Sequence, residues 1–554
     1  MGSPCKGGVF QDWSHQSLVG KSFYFLGSRP EVPSQETEYS GSFGADFDDL
    51  GVPSHPVIHV NTKMMILDES SVVYQEWAHP TLPTFLSYYI VDIQNPEEYK
   101  NGAKPIIEDK GPYVYKMFVD RKNLTFHDNG TLTFMPHYLY FFEPEKSVGP
   151  ETDRIITPNI MLLASVFAGR NDSNETKSDM NAFLNLIGGE VTLNLTIGEL
   201  MWGYRRLGWG PLKRFVSTGE FWVQENEEQN EWMRPGFLSP FNATLLYEYN
   251  VFDGVADQKL VNAIDNYWGK PTTDWWWSEE ANDIRGTDGT MFHPYVKKTE
   301  ELTMFNPEYC RSLDYVYEKD VNFRGIPLLR FKLAPHTWSN ATVYPPNAGY
   351  CSGNPELCGV SGYMRQDPCR QGSPSSISNP HFYEGDPSLI NAVEGLNPVK
   401  ELHEHIMDIE PLMGMPYVLK VRLQINMETT QDDLIDAVKN VRELTLPLAW
   451  FEQSVEADDK IVDDYNTGFV MTANIGIAVQ WLSICSGIIF SIIIIFDSVK
   501  RRSAEKRAHE MSEKDEIKDS AVYKANDDIE NHKAPVTSSH ELTKTDYTNP
   551  TFST

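Results

Sequence analysis

Between about residue 55 and residue 467, apolar positions recur mainly at a period of two. The run Lys420-Val421-Arg422-Leu423-Gln424-Ile425-Asn426-Met427 is the clearest case. Such alternation puts one set of side chains on one face of a half-buried strand. Tyr113 to Val119, entered by Gly111-Pro112, reads as a second strand, and Leu132 to Phe142, after the Asn129-Gly130 turn signal, as a third. These strands predict antiparallel sheet. Three segments carry a helical period instead: Ile160 to Ala168 behind Thr157-Pro158 at the cap and first turn, Met180 to Ile187 behind Ser178-Asp179, and Asp432 to Leu444 with Leu434, Val438 and Val441 on one face. The first two are more apolar than a single buried face requires; burial against each other is the preferred reading and a hydrophobic tip the alternative.

One stretch has no polar face at all. From Gly468 to Phe496 no residue is charged, and the segment ends in Ile492-Ile493-Ile494-Ile495-Phe496. A helix of roughly 20 apolar residues crosses the hydrocarbon of a bilayer. Lys500, Arg501, Arg502, Lys506 and Arg507 come directly after it, which predicts a cytosolic C-terminal side and an external bulk. The N-x-[ST] acceptors Asn123, Asn129, Asn171, Asn174, Asn194, Asn242 and Asn340 all precede the span, and Pro550 blocks Asn549 beyond it. Residues 1–54, rich in Ser, Gly, Pro and acidic groups, are expected to be disordered, as is the polar tail 497–554. No apolar run after a basic start marks a signal peptide or anchor in that first segment.

The composition narrows the function. With 554 residues, 40% hydrophobic and 12% aromatic, the external part has enough apolar mass for a large core. A formal charge of -31 opposes long-range attraction to nucleic acid. Of six cysteines, Cys310, Cys351, Cys358 and Cys369 cluster in the external part, where oxidation favours disulfides. Three connectivities exist for four cysteines; the nested one, Cys351 with Cys358 inside Cys310 with Cys369, is preferred. A zinc site is the rival, but neither a C-x-x-C pair nor a histidine at ligand spacing accompanies them. Cys5 and Cys485 stand apart.

Catalytic motifs are missing: there is no nucleophile elbow, phosphate loop or dinucleotide fingerprint. His403-Glu404-His405 has its histidines two apart where a zinc protease needs four, and reads as a structural pair. Asp408 and Glu410 share a strand face and read as solvated or salt-bridged acids. Trp275-Trp276-Trp277 cannot share one face and reads as packing plus one exposed ring. The basic cluster Arg205-Arg206, Trp209 and Lys213-Arg214 reads as a solvated face. No enzyme, metal or cofactor is expected. In the tail, Tyr547-Thr548-Asn549-Pro550-Thr551-Phe552 presents Tyr547 and Phe552 around the Asn549-Pro550 turn, a candidate signal for an endocytic adaptor.

A series of segments in fixed order resembles the CD36 family of class B scavenger receptors and lysosomal integral membrane proteins. They include Tyr89 to Glu98, Lys110-Gly111-Pro112-Tyr113, Glu199 to Arg205, Gly286-Thr287-Asp288, Cys310-Arg311-Ser312, Asp320 to Pro327, Asn379-Pro380-His381-Phe382, Gly395 to Pro398 and Asp408-Ile409-Glu410-Pro411. The resemblance implies an α+β fold: an antiparallel β-barrel-rich ectodomain over residues 55–467, threaded by an apolar tunnel and carrying an apical helical bundle. A transmembrane helix over 468–496 and a cytoplasmic tail over 497–554 would complete it. It also implies two spans, the first before about residue 55, so that the 554 residues are expected to be an incomplete or alternative product. The short and long cysteine pairs are similar to the lysosomal branch, and the surface receptor's additional bridge would fall near Ala281. Lysines that serve fatty-acid headgroups in the surface receptor would fall around Ile187 to Glu190 and are missing.

The function this implies is that of a glycosylated plasma-membrane receptor, cycling to endosomes or lysosomes, that binds lipid or lipoprotein and transfers lipid through the tunnel. Leu163, Phe167, Met180, Phe183, Leu184 and Ile187 become the candidate ligand surface of the apex. The alternative is a trafficking or phagocytic receptor whose protein or cell-surface ligand binds there.

Overall fold

The computed structural model describes residues 65–204, 236–245, 247–351, 358–370 and 372–530. Fifteen strands appear among them: β1 Thr84–Ile93, β2 Ile107–His127, β3 Thr131–Phe142, β4 Arg154–Pro158, β5 Thr192–Thr196, β6 Tyr249–Phe252, β7 Ile264–Tyr267 and β8 Glu301–Asn306, then β9 Arg311–Phe323, β10 Ile326–Leu333, β11 Tyr363–Arg365, β12 Ser375–Ser378, β13 Ile406–Glu410, β14 Met415–Glu428 and β15 Thr445–Glu456. All but β4 and β5 belong to one antiparallel sheet, with the main order β7-β6-β3-β2-β1-β15-β14-β13-β10-β9-β8. The three strands read from alternation lie within β2, β3 and β14, and β2 turns into β3 through Gly130 at φ 77°.

The sheet nearly closes, and the seam is made by one short segment between its two end strands. Ile264 N–H donates to Gly286 O at 2.8 Å, Thr287 N–H to Thr303 O at 3.0 Å, and Phe305 N–H to Thr287 O at 2.9 Å. Thr287 thus bridges both to Ala263 beside β7 and to Met304 in β8. Gly286 has φ +83°, and a Cβ there would sit 1.9 Å from Thr303 O. Only glycine fits so close a backbone approach at that conformation.

The apolar helix Ile160–Ala168 is capped by Asn159, whose side chain accepts from Leu162 N–H. The expected Thr157-Pro158 cap is instead the end of β4. The second helix starts earlier than its apolar pattern, at Asn174, because Ser173 accepts from Thr176 N–H; it stops where Gly188 turns left-handed at φ 68°. Residues Asp432 to Leu444 form successive turns rather than the expected helix. Ile435, Val438 and Val441 are buried there, whereas Leu434 is exposed.

At the C-terminal end a helix runs from Thr472 to Glu530. It includes a segment long and apolar enough to cross a membrane. The helix continues through residues 497–530, where composition predicts an unfolded tail. Dense charge there does not interrupt it, since Glu, Lys, Arg and Ala are good helix formers.

Candidate functional site: an apolar cavity with polar walls

A cavity of about 360 Å³ lies against the inner face of the sheet. Its lining reflects the period of two directly: Thr84, Leu86 and Tyr88 from β1; Met117, Val119 and Arg121 from β2; Phe134, Pro136, Tyr138 and Tyr140 from β3. On the other side stand Leu423, Ile425 and Met427 of β14 and Phe451, Gln453 and Val455 of β15. Each set is spaced by two, so each strand turns one row of side chains inward. In β14 this row lies within the clearest alternating run of the sequence, Lys420 to Met427. Ile160 comes from the helix Ile160–Ala168 and Leu200 from a short helix, Ile197–Trp202.

Two ion pairs interrupt this apolar lining. Arg121 Nη2 donates to Asp288 Oδ2 at 2.6 Å, and both side chains are nearly buried. Burial opposes the charge on Asp288, but Arg121, with hydrogen bonds from Thr290 and Asn262, holds its carboxyl below the ordinary value. The arginine lies 4.2 Å from the Trp77 ring centroid, and Trp77 donates to Asn262 Oδ1 at 3.1 Å. Asp288 of the Gly286-Thr287-Asp288 segment therefore ties the sheet's seam to the cavity wall. The second pair is Arg370 with Glu308 at 2.9 Å. Cys310 and Cys369 are disulfide-linked with their Cα atoms 6.1 Å apart, and this link holds the Arg370 segment against the Glu308 turn. Cys351 is bonded to Cys358, so the nested connectivity is the one present.

The sequence pattern of the CD36 family matches residues 52–498, a range that takes in the whole cavity-bearing sheet and the apolar part of the C-terminal helix. The chain belongs to the CD36 family. It is 32% identical over 480 residues to scavenger receptor class B member 1 of Mus musculus, covering 84% of this chain and 89% of that protein. Against the Cricetulus griseus protein of the same name it is 33% identical over 453 residues, covering 80% and 84%. Lysosome membrane protein 2 of Rattus norvegicus is 32% identical over 448 residues, with 77% of this chain and 87% of that protein covered. Similarity is thus nearly even between scavenger-receptor and lysosome-membrane relatives.

Several residues singled out in the sequence take different places in this family member. Leu163, Met180 and Leu184 are buried, and Phe183 and Ile187 half-buried, within or against one core; Phe167 is buried under Arg170, and the large exposed apolar side chain of these helices is Leu186. The two helices share this core with residues of β1, β4 and β5, which uses their apolar excess and agrees with the burial preferred from the sequence. Trp276 is buried with Nε1 donating to Cys310 O at 2.6 Å, whereas Trp277 is exposed. Asp408 forms a two-pronged pair with Arg330 at 2.7 Å to each oxygen. Glu410 is neither solvated nor salt-bridged: it is 1% exposed, and burial pushes its carboxyl up to about 7. His403 and His405 are buried, and no group of metal-ligating residues occurs among the described residues. Asn123, Asn129, Asn171, Asn174 and Asn194 are exposed, and Asn242 and Asn340 half-buried.

The cluster at 205–214, the tail motif Tyr547, Asn549, Pro550 and Phe552, and residues 1–54 lie outside the described residues. Sequence reasoning missed Arg121, Glu308 and Arg370. No local motif marks them; partners 167 and 62 residues away make them a site.

Proposed function

We propose that this chain is a membrane receptor for lipid or lipoprotein, and that the cavity is the binding and transfer path for lipid. The observation that carries the reading is the apolar inner row contributed by β1, β2, β3, β14 and β15 around a 360 Å³ space. Each Å² of acyl or sterol surface moved from water into it would contribute roughly 25 cal/mol. The C-terminal helix supplies the anchor, with its basic flank on the cytosolic side and the sequon-bearing sheet domain outside. The balance of relatives fits both a cell-surface and a lysosomal residence.

The test is uptake of fluorescent lipid from donor particles by cells carrying the full chain or Ile425→Trp. Ile425 lines the cavity, so the indole would obstruct it, with surface expression measured alongside. Uptake should fall at least about fivefold. Unchanged uptake at equal surface level rejects the cavity as the path, and a protein ligand bound outside it then becomes the better account.

A further inference from the structure

Glu308 sits in the short turn Pro307–Tyr309 between β8 and β9, and this turn is unusually well pinned. Asn306 Oδ1 accepts from Glu308 N–H at 2.7 Å. From the opposite side, Gln366 Nε2 donates to Glu308 O at 3.0 Å, and Arg370 Nη2 donates to the same carbonyl at 2.8 Å and to Oε2 at 2.9 Å. The Cys310–Cys369 link locks the two segments together close by. Three hydrogen bonds thus fix the Glu308 backbone and one holds its carboxylate, yet the other oxygen, Oε1, is buried and has no hydrogen-bond partner. Ser375 Oγ, on the strand whose carbonyl accepts from Gln366 N–H, is likewise buried and unpartnered. Both residues line the cavity.

Four tyrosines stand in the electrostatic field of that one carboxylate: Tyr88, Tyr138, Tyr140 and Tyr309. All four line the cavity, and among the described residues none of their hydroxyls has a protein hydrogen-bond partner. Burial, opposed by Arg370, raises the Glu308 carboxyl above its ordinary value. Charge in the wall is nearly balanced: Arg121 and Arg370 face Asp288, Glu308 and Glu76, two cations against three carboxylates. Among the described residues, an anionic headgroup meets no spare cation there. A neutral hydroxyl suits the site, because it can donate to a carboxylate oxygen and accept from a phenol at once.

We propose that Glu308, held by Arg370 and lining the same cavity as Tyr88, Tyr138, Tyr140 and Tyr309, is a station that binds the hydroxyl of a neutral lipid alcohol inside that cavity. This rests on the cavity being a lipid path. The station selects a free alcohol over its ester, which has no proton to give, and over a fatty acid anion, which the carboxylates repel. A buried acceptor left without a donor is the physical source of the discrimination. A hydrogen bond to a charged group corresponds to roughly tenfold or more in affinity.

The experiment measures equilibrium binding of dehydroergosterol, dehydroergosteryl acetate and cis-parinaric acid to the full chain in detergent. Wild type should bind the alcohol at least about tenfold more tightly than the acetate or the acid. Glu308→Leu should remove the preference for the alcohol over the acetate, and Glu308→Gln, which keeps an acceptor without the charge, should fall between. If wild type binds all three lipids without preferring the alcohol, the station is wrong and the lipid path survives. Should none of the three bind, both fall together. The wild-type ratio needs no variant, so a misfolded Glu308→Leu does not rescue the proposal.

Discussion

His381 and His403 stack face to face, their ring centroids 4.4 Å apart and their planes within 6°. His381 Nε2 donates to Asp109 Oδ2 at 2.7 Å, and its Nδ1 accepts from Asn397 N–H at 2.9 Å. His403 Nδ1 accepts from Val399 N–H at 3.0 Å. An imidazole nitrogen that accepts from a backbone N–H has no proton of its own, so both rings are neutral in this arrangement. Trp450 closes the pair edge-on and donates to the same Asp109 oxygen.

His403 and the neighbouring His405 make the fold acid-sensitive. Burial, then the neighbouring His381, lowers His403 to about 4; burial, then Arg422, lowers His405 to about 3. Asp109 faces the pair with an opposing charge and moderates the effect on His403. Because the folded values lie below the unfolded one near 6.5, this stability is complete above pH 6.5 and is lost as pH falls through about 4. Thermal unfolding of wild type should weaken over that window, and His403→Gln should weaken less, by on the order of 1 kcal/mol after allowance for screening. Parallel pH profiles of the two proteins would refute the assignment.

Glu410 acts in the opposite direction. Its folded value is raised to about 7 from an unfolded 4.5, so its contribution is complete below pH 4.5 and is lost as pH rises through 7. One oxygen accepts from Met413 N–H at 2.8 Å while burial penalises the charge. Glu410→Gln should stabilise the protein by about 2 kcal/mol at pH 8 and leave it nearly unchanged at pH 4. Denaturant titration at the two pH values measures it, and equal effects at both would count against a buried carboxyl.

The seam predicts a severe glycine effect. Gly286→Ala places a Cβ against Thr303 O at a left-handed backbone angle, which should cost about 3 kcal/mol or more and loosen the Arg121–Asp288 pair next to it. Retention of the protein with immature glycans is the expected cellular readout. Normal maturation of Gly286→Ala would show that the sheet closes without this contact.

Sequon use should track access to the amide. Asn123, Asn129, Asn171, Asn174 and Asn194 are exposed, whereas Asn340 Nδ2 already donates to Gly359 O and Asn242 Oδ1 accepts from Tyr140 N–H. Conversion of each to Gln, read by mobility against a deglycosylated control, should show lost sugar at the exposed five more completely than at Asn242 or Asn340. Full occupancy at Asn340 would mean the site is modified before that segment folds.

Whatever a local period or a covalent rule dictates was legible in the chain. Alternation fixes which side of β14 faces inward, because side chains in a strand point to opposite faces in turn. The charge-free run from Gly468 to Phe496 states its own length, and four clustered cysteines leave only three pairings. The helix expected at 432–444 failed, and the burial expected of the apolar helices at 160–187 held, for the same reason. The turn-rich 432–444 segment and the apolar helices at 160–187 are governed by what they pack against, and Leu163 and Met180 are core residues because other helices and strands cover them.

Only the tertiary structure decided where polar groups meet inside the sheet. Arg121 finds Asp288, and Glu308 finds Arg370, across separations that no window along the sequence spans. Closure of the sheet by Gly286 and Thr287 brings β7 and β8 together and sets these pairs into one wall. Local propensity depends on a residue and its near neighbours, whereas the cost of burying a charge depends on which partner the fold brings within reach.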